Sequence, residues 1–146
     1  MENEINIFSD GGALGNPGPA ASAFVVYQDV KIIHKFYKKI GNATNNVAEY
    51  QAVIFALEWL IQQSTIDNHS TSLRASQQST INFFIDSELV VRQLNGIYKI
   101  KDGKMKILVL RIKSLENELG LRIFYSHVRR SENTLADSLV KKALSV

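Results

Sequence analysis

Apolar positions recur along this chain with two different periods, and the switches between them mark out the elements. Ile5, Ile7 and Phe8 read as a short apolar strand, stopped by Asp10-Gly11-Gly12. Ala13-Leu14-Gly15-Asn16-Pro17-Gly18-Pro19 follows as a turn whose bare backbone could lie close to a phosphate or a sugar. Residues 23–27 and 31–40 read as two further strands joined near Gln28-Asp29, so the first three strands form an antiparallel meander. Residues 41–46 are a polar loop. After it the period changes: Val47, Tyr50, Ile54, Leu57, Leu60 and Ile61 recur at helical spacing and predict a long amphipathic helix.

From 62 to 80 the chain turns to Gln, Ser, Thr, Asn and isolated charges, with Ile66, Leu73 and Ala75 as its only apolar residues. Such a stretch cannot bury enough to offset its ordering entropy. It reads as a surface insertion and not a domain boundary, because neither flank closes a core without the other. Residues 81–85 form a fourth strand, apolar throughout except for Asn82 and therefore expected inside the sheet; it ends at Asp86. A short helix over 87–93 is stopped by Asn95-Gly96. Met105, Leu108, Ile112, Leu115 and Leu119 then step by three and four up to Gly120, a helix with its C-terminal stop. Residues 121–127 are a fifth strand and 132–144 a closing helix. Strands four and five each follow a helix, which favours parallel crossovers and gathers reactive groups at the carboxyl ends of strands. The expected architecture is α/β: one domain over 1–146, a five-stranded mixed sheet flanked by helices, with the insertion at about 62–80.

Composition narrows the function. At 146 residues and 45% hydrophobic, the chain can build a single core. It has no cysteine, which excludes a disulfide framework and thiolate metal sites. No charged leader precedes an apolar run, and nothing approaches the ~20 apolar residues of a membrane span. A cytoplasmic protein with no membrane partner is expected. The net charge of +3 is mild, but Lys99, Lys101, Lys104, Lys106, Arg111 and Lys113 fall close together with only Asp102 among them, and Lys31, Lys35, Lys38 and Lys39 cluster earlier. Such runs are either solvated faces or phosphate contacts.

Four acids each have a structural role available. Asp10 can form a turn, and Asp86 can cap the helix that follows it. Glu49 stands three residues after Asn46, the spacing of a capping box. Asp137 lies at the flank of the stripe Leu135, Ala136, Leu139, Val140 and Ala143, on the same side as Asn133. Taken jointly, carboxylates within a few Å must share protons or bind cations. Oxygen ligands without Cys or His point to Mg²⁺ or Mn²⁺, and two such ions about 4 Å apart form the clamp of phosphoryl transfer.

Four motifs in order resemble a known family. Asp10-Gly11-Gly12 with 15–19, Thr44-Asn45-Asn46-Val47-Ala48-Glu49, Phe84-Ile85-Asp86-Ser87-Glu88-Leu89-Val90, and the stretch from His127 to Asp137 together resemble type 1 ribonuclease H in its small bacterial and archaeal form, nearly end to end. The resemblance implies a ribonuclease H-like fold with strand order 3-2-1-4-5, its first three strands antiparallel. It implies an endonuclease that cuts the RNA strand of RNA/DNA hybrids with two Mg²⁺ ions, leaving 5′-phosphate and 3′-hydroxyl ends. Asp10 would bridge the ions, Asp137 would support the one that activates water, and Glu49 and Asp86 the one at the leaving oxygen. Gly11, Gly12, Asn16, Thr44, Asn45, Asn46 and Glu88 would meet the hybrid, with Lys99, Lys101 and Lys104 on its phosphates. A monomer is expected.

Two positions depart from the family pattern. Where the enterobacterial form has a mobile histidine, seven residues before the last catalytic acid, this chain has Arg130; Arg130 and His127 are the two candidates for an auxiliary role. The region 95–113 has lysines but no tryptophan; Trp59 lies mid-helix and reads as core, and Tyr98 as packing or stacking. A catalytically silent docking module and a two-metal DNA junction nuclease are the competing functions.

Overall fold

The computed structural model describes residues 4–65, 79–96 and 99–145. Strands β1 (Glu4–Ala13), β2 (Gly18–Gln28), β3 (Lys31–Ala43), β4 (Thr80–Ile85) and β5 (Arg122–His127) form one sheet in the order β3-β2-β1-β4-β5. The β1/β2 and β2/β3 pairs are antiparallel, the β1/β4 and β4/β5 pairs parallel. This is the mixed α/β sheet expected from the sequence. Helices α1 (Asn45–Thr65), α2 (Glu88–Leu94), α3 (Gly103–Leu119) and α4 (Thr134–Leu144) flank it.

Alternation along the strands sorts side chains into two layers. Ile5, Ile7, Phe24, Val26, Ile81, Phe83 and Ile85 form the larger core with Tyr50, Val53, Leu57 and Leu60 of α1, and Val109, Ile112 and Leu115 of α3 close it from outside. Each such side chain contributes about 1.5–3 kcal/mol when fully buried. On the opposite side Ala21, Ala23 and Val25 of β2 meet Ala136, Leu139, Val140 and Ala143 of α4. The small residues on β2 let α4 lie close to the sheet, and this draws Asp137 toward Asp10.

Several boundaries differ from the sequence expectation. β1 does not stop at Asp10: it continues through Gly11, Gly12 and Ala13, paired with Ser22, Ala21 and Ala20. Residues 41–43, expected in a loop, belong to β3 and pair back to Ala20, Pro19 and Gly18, with Gly41 at φ +83°. Of the insertion expected at 62–80, Gln62 to Thr65 belong to α1, and Ser79 and Thr80 are buried where β4 begins; 66–78 lies outside the described residues. The closing helix begins at Thr134, after a 3₁₀ turn at Arg130–Glu132. Asp102 caps α3 by accepting from the N–H groups of Lys104 and Met105, and Gly120 ends it at φ +71°. Trp59 packs as expected, its ring stacked on His34 at 4.5 Å; Tyr98 lies outside the described residues. Among the described residues no helix is long and apolar enough to cross a membrane.

Candidate active site

The ladder between β1 and β4 ends at the pair Ser9–Ile85. β1 runs on past it while β4 gives way to α2, so Asp10 and Asp86 emerge side by side at the point where the sheet opens. Neither competing role holds. Ser87, not Asp86, caps α2 by accepting from the Val90 N–H at 3.3 Å. Thr44, not Asn46, opens α1: its Oγ1 accepts from the Val47 N–H at 3.2 Å and its carbonyl from the Ala48 N–H at 3.1 Å. Glu49 is therefore too far along the helix for a capping box, and its side chain is free to turn to the sheet.

The start of α1 is pinned there. The Ser22 hydroxyl donates to the Ala48 carbonyl at 2.7 Å. A Cβ on Gly11 would stand 2.2 Å from the carbonyl carbon of Ala48, so only glycine lets α1 come this close. The result is a triplet: ligand oxygens of Asp10, Glu49 and Asp86 all lie within 4.8 Å of one another.

Burial pushes the Asp10 carboxyl up to about 7, and the Asp86 and Asp137 charges add to the effect, while hydrogen bonds from Glu49 and the Gly11 N–H oppose it. Glu49 is raised well above the usual carboxylate range, first by burial and then by the charge of Asp10. Glu49 Oε2 is buried without a hydrogen-bond partner, an arrangement that costs free energy unless a cation or a shared proton offsets it. Oxygen-only ligands, mutual repulsion and an orphaned buried oxygen together fit a hard divalent cation.

Asp137 lines the same cavity of about 440 Å³ as the triplet, along with Arg130. Its Oδ2 lies 2.8 Å from Lys141 Nζ instead of joining the three oxygens. His127, by contrast, is exposed at the end of β5 and does not line the cavity.

Sequence reasoning missed the role of Asn133. It is 1% exposed, and its Nδ2 donates to the Ser9 carbonyl at 2.9 Å and to Asp86 Oδ2 at 3.3 Å. The Asp137 N–H in turn donates to the Asn133 carbonyl at 3.1 Å. One side chain thus ties β1, the end of β4 and α4 together. Its signal in the sequence was an amide one turn before Asp137, on the inward side of the helix.

The rim of the cavity carries further residues expected at the substrate. Asn45 Nδ2 and Asn16 Nδ2 are left to donate outward, because Asn45 Oδ1 accepts from the Ala13 N–H at 2.8 Å and Asn16 Oδ1 from the Asn45 N–H at 2.9 Å. Gly12, Asn45 and Asn46 line the cavity. Glu88 does not; it pairs with Arg92 at 2.8 Å on the outer side of α2. Lys99, Lys101 and Lys104 are exposed and also lie outside it. Lys104 lines a separate hollow of about 350 Å³ with Ile40, Asn42, Ala43, Val47 and Gln51.

Known proteins resemble this chain in sequence and in fold. The family model described as RNase H matches residues 2–145. The "Bifunctional protein Rv2228c" of Mycobacterium tuberculosis is 34% identical over 143 residues, covering 97% of this chain and 35% of the relative. The "Ribonuclease HI" of Halobacterium salinarum is 34% identical over 142 residues, covering 96% of this chain and 64% of the relative. The chain thus spans about a third of the length of the mycobacterial relatives it matches. A solved structure, LC11-RNase H1 from a compost metagenome in complex with an RNA/DNA hybrid, superposes with a TM-score of 0.84 at 37% identity, covering 97% of this chain and 96% of that one. The chain belongs to the RNase H family, among its type 1 members.

Proposed function

We propose that this protein is an endonuclease that hydrolyses the RNA strand of RNA/DNA hybrids, leaving 5′-phosphate and 3′-hydroxyl ends, with residues 2–145 acting as one catalytic domain. The observation that carries this reading is the triplet Asp10, Glu49 and Asp86 with the orphaned Glu49 Oε2, in a chain 37% identical to a protein solved on such a hybrid. The donor set suits two Mg²⁺ ions, or Mn²⁺ on the same ligands, with Asp10 shared, Asp137 serving one and Glu49 and Asp86 the other. When bound, such ions supply positive charge to the phosphoryl oxygens and lower the pKa of a water.

The chain's own side chains do the rest. Asn133 holds the Asp86 carboxylate in place. The outward amide N–H₂ groups of Asn16 and Asn45 and the hydroxyl hydrogen of Thr44 are donors, which suits the oxygens of phosphate and 2′-hydroxyl; the 2′-hydroxyl is what separates RNA from DNA at a site. Arg130 places a permanent positive charge at the cavity wall, where it attracts the phosphate that cleavage exposes. Lys99, Lys101 and Lys104 add salt-dependent phosphate contacts beyond the cavity.

Labelled RNA/DNA, RNA/RNA and DNA/DNA duplexes and single-stranded RNA, incubated in Mg²⁺, Mn²⁺ or EDTA with wild type and Asp10→Asn, test the proposal. Metal-dependent cutting of the hybrid's RNA strand, lost in the variant, is the expected result. Hybrid binding without cutting in either metal would leave a docking module, and cutting of DNA duplexes would leave a DNA nuclease.

A further inference from the structure

Of the four cavity acids, Asp137 is the one that the fold pairs with a basic side chain among the described residues: Lys141 Nζ lies 2.8 Å from its Oδ2. Both residues line the acidic cavity, yet Asp137 stands apart from the triplet of oxygens formed by Asp10, Glu49 and Asp86. We infer that Lys141 is a displaceable counter-cation of the fourth carboxylate, holding Asp137 in the free protein and having to swing aside before Asp137 can take a divalent ion. The inference rests on the proposed reading of the cavity as a cation site.

The geometry suits displacement. Asp137 and Lys141 are one turn apart on α4 with the acid first, the favourable order for an i,i+4 pair along a helix. The Lys141 side chain is 75% exposed and that of Asp137 22%, so the ammonium can leave into water without opening the core. An exposed pair of this kind is weak, and competition from it should lower cation affinity by about two- to fivefold. Lys141 thus sets the affinity of the cavity's outer side without blocking it.

The fold supplies a control. Lys142, the next residue, carries the same charge but lies over the Tyr37 ring on β3, its Nζ 5.3 Å from the ring centroid. Removing either lysine changes the net charge equally. Of the two lysines, Lys141 is the one paired with Asp137.

Calorimetric titration of the nucleic-acid-free protein with MnCl₂ and MgCl₂ tests the inference on wild type, Lys141→Met, Lys141→Arg, Lys142→Met and Asp10→Asn. Thermal melts beforehand establish that each variant is folded. The expected result is about two- to fivefold tighter cation binding in Lys141→Met, a difference that shrinks as KCl is raised, with Lys141→Arg and Lys142→Met close to wild type. Equal affinities in Lys141→Met and wild type overturn the inference, and so does an equal gain in Lys142→Met, which would show net charge alone at work. If wild type binds ions, Asp10→Asn does not, and Lys141→Met matches wild type, only this inference fails. If wild type binds none, the reading of the cavity falls with it.

Discussion

Asn133 shows how much a single side chain can decide. Its amide replaces water at two acceptors that would otherwise be stranded near the acidic opening, the Ser9 carbonyl and Asp86 Oδ2. Truncation leaves both without this donor at a side chain that is itself 1% exposed. Asn133→Ala should therefore lower unfolding stability by about 1–3 kcal/mol, read from urea midpoints. It should also lower hybrid cleavage, since Asp86 loses the group that aims it; a variant with wild-type stability and activity would remove Asn133 from the site. The acids themselves were legible as residue types in a pattern, but their spacing alone left a cap or a turn open to each. Asp86-Ser87 and Thr44-Asn45-Asn46 each offer more than one good cap, and sequence alone does not say which one the helix uses. Both caps fall to hydroxyls, and that leaves the Asp86 and Glu49 side chains free to face the cavity.

At the scale of elements, the approach of α1 to β1 is the decisive contact, and adjacent glycines separate its effect from that of the strand. A Cβ on Gly11 would stand 2.2 Å from the Ala48 carbonyl carbon and 2.3 Å from its oxygen, both backbone atoms that cannot rotate away. A Cβ on Gly12 would meet only Val140 Cγ1 at 3.5 Å, an ordinary contact. Gly11→Ala should cost at least about 3 kcal/mol or prevent folding, whereas Gly12→Ala should stay within about 1 kcal/mol of wild type in denaturant melts. Equal effects would mean that α1 tolerates a shift at this point. The sequence presented these glycines as an end to the strand and a way for the backbone to approach a substrate; the packing demand on Gly11 depends on a helix that begins 34 residues later and has no local signal.

The outer edge of the same packing carries a pH effect. His34 on β3 stacks on Trp59 of α1 with planes 12° apart, and burial lowers its pKa from the ordinary 6.5. The unfolded chain then takes up a proton at higher pH than the folded one. Stability from this group is complete above about pH 6.5 and is lost as pH falls through the lower, folded pKa. His34→Phe should therefore flatten the dependence of Tm on pH between about 7.5 and 5.5 relative to wild type, and NMR titration of wild type should find His34 titrating below 6.5. A His34 titrating above that value would reverse the sign and refute the account.

For the whole molecule, the strands and the helices between them were readable from local periodicity and turn chemistry, whereas the order of the sheet and the grouping of the four acidic motifs were readable through the resemblance to type 1 ribonuclease H. What was not readable depends on partners distant in sequence: the run of β1 past Asp10, the strand character of 41–43, and the position of Asp137 outside the triplet of the other acids. These features have one thermodynamic consequence in common. The fold holds acids together around the buried Glu49 Oε2, which has no hydrogen-bond partner, so the metal-free protein carries a cost that a divalent ion held there would remove. Ions that bind the folded chain and not the unfolded one stabilise by RT ln(1 + [ion]/Kd), about 1.4 kcal/mol at tenfold excess over Kd. For a chain of this length that corresponds to a rise in Tm of about 3–6 °C. Wild type should show this rise on titration with MgCl₂ at constant ionic strength and lose it in EDTA. Asp10→Asn should show no rise, and in EDTA it should be at least as stable as wild type, because a neutral amide replaces a buried carboxyl opposed by the Asp86 and Asp137 charges. An Asp10→Asn protein that melts well below wild type in EDTA would show that the cluster is held by its internal hydrogen bonds and carries no strain for a cation to relieve.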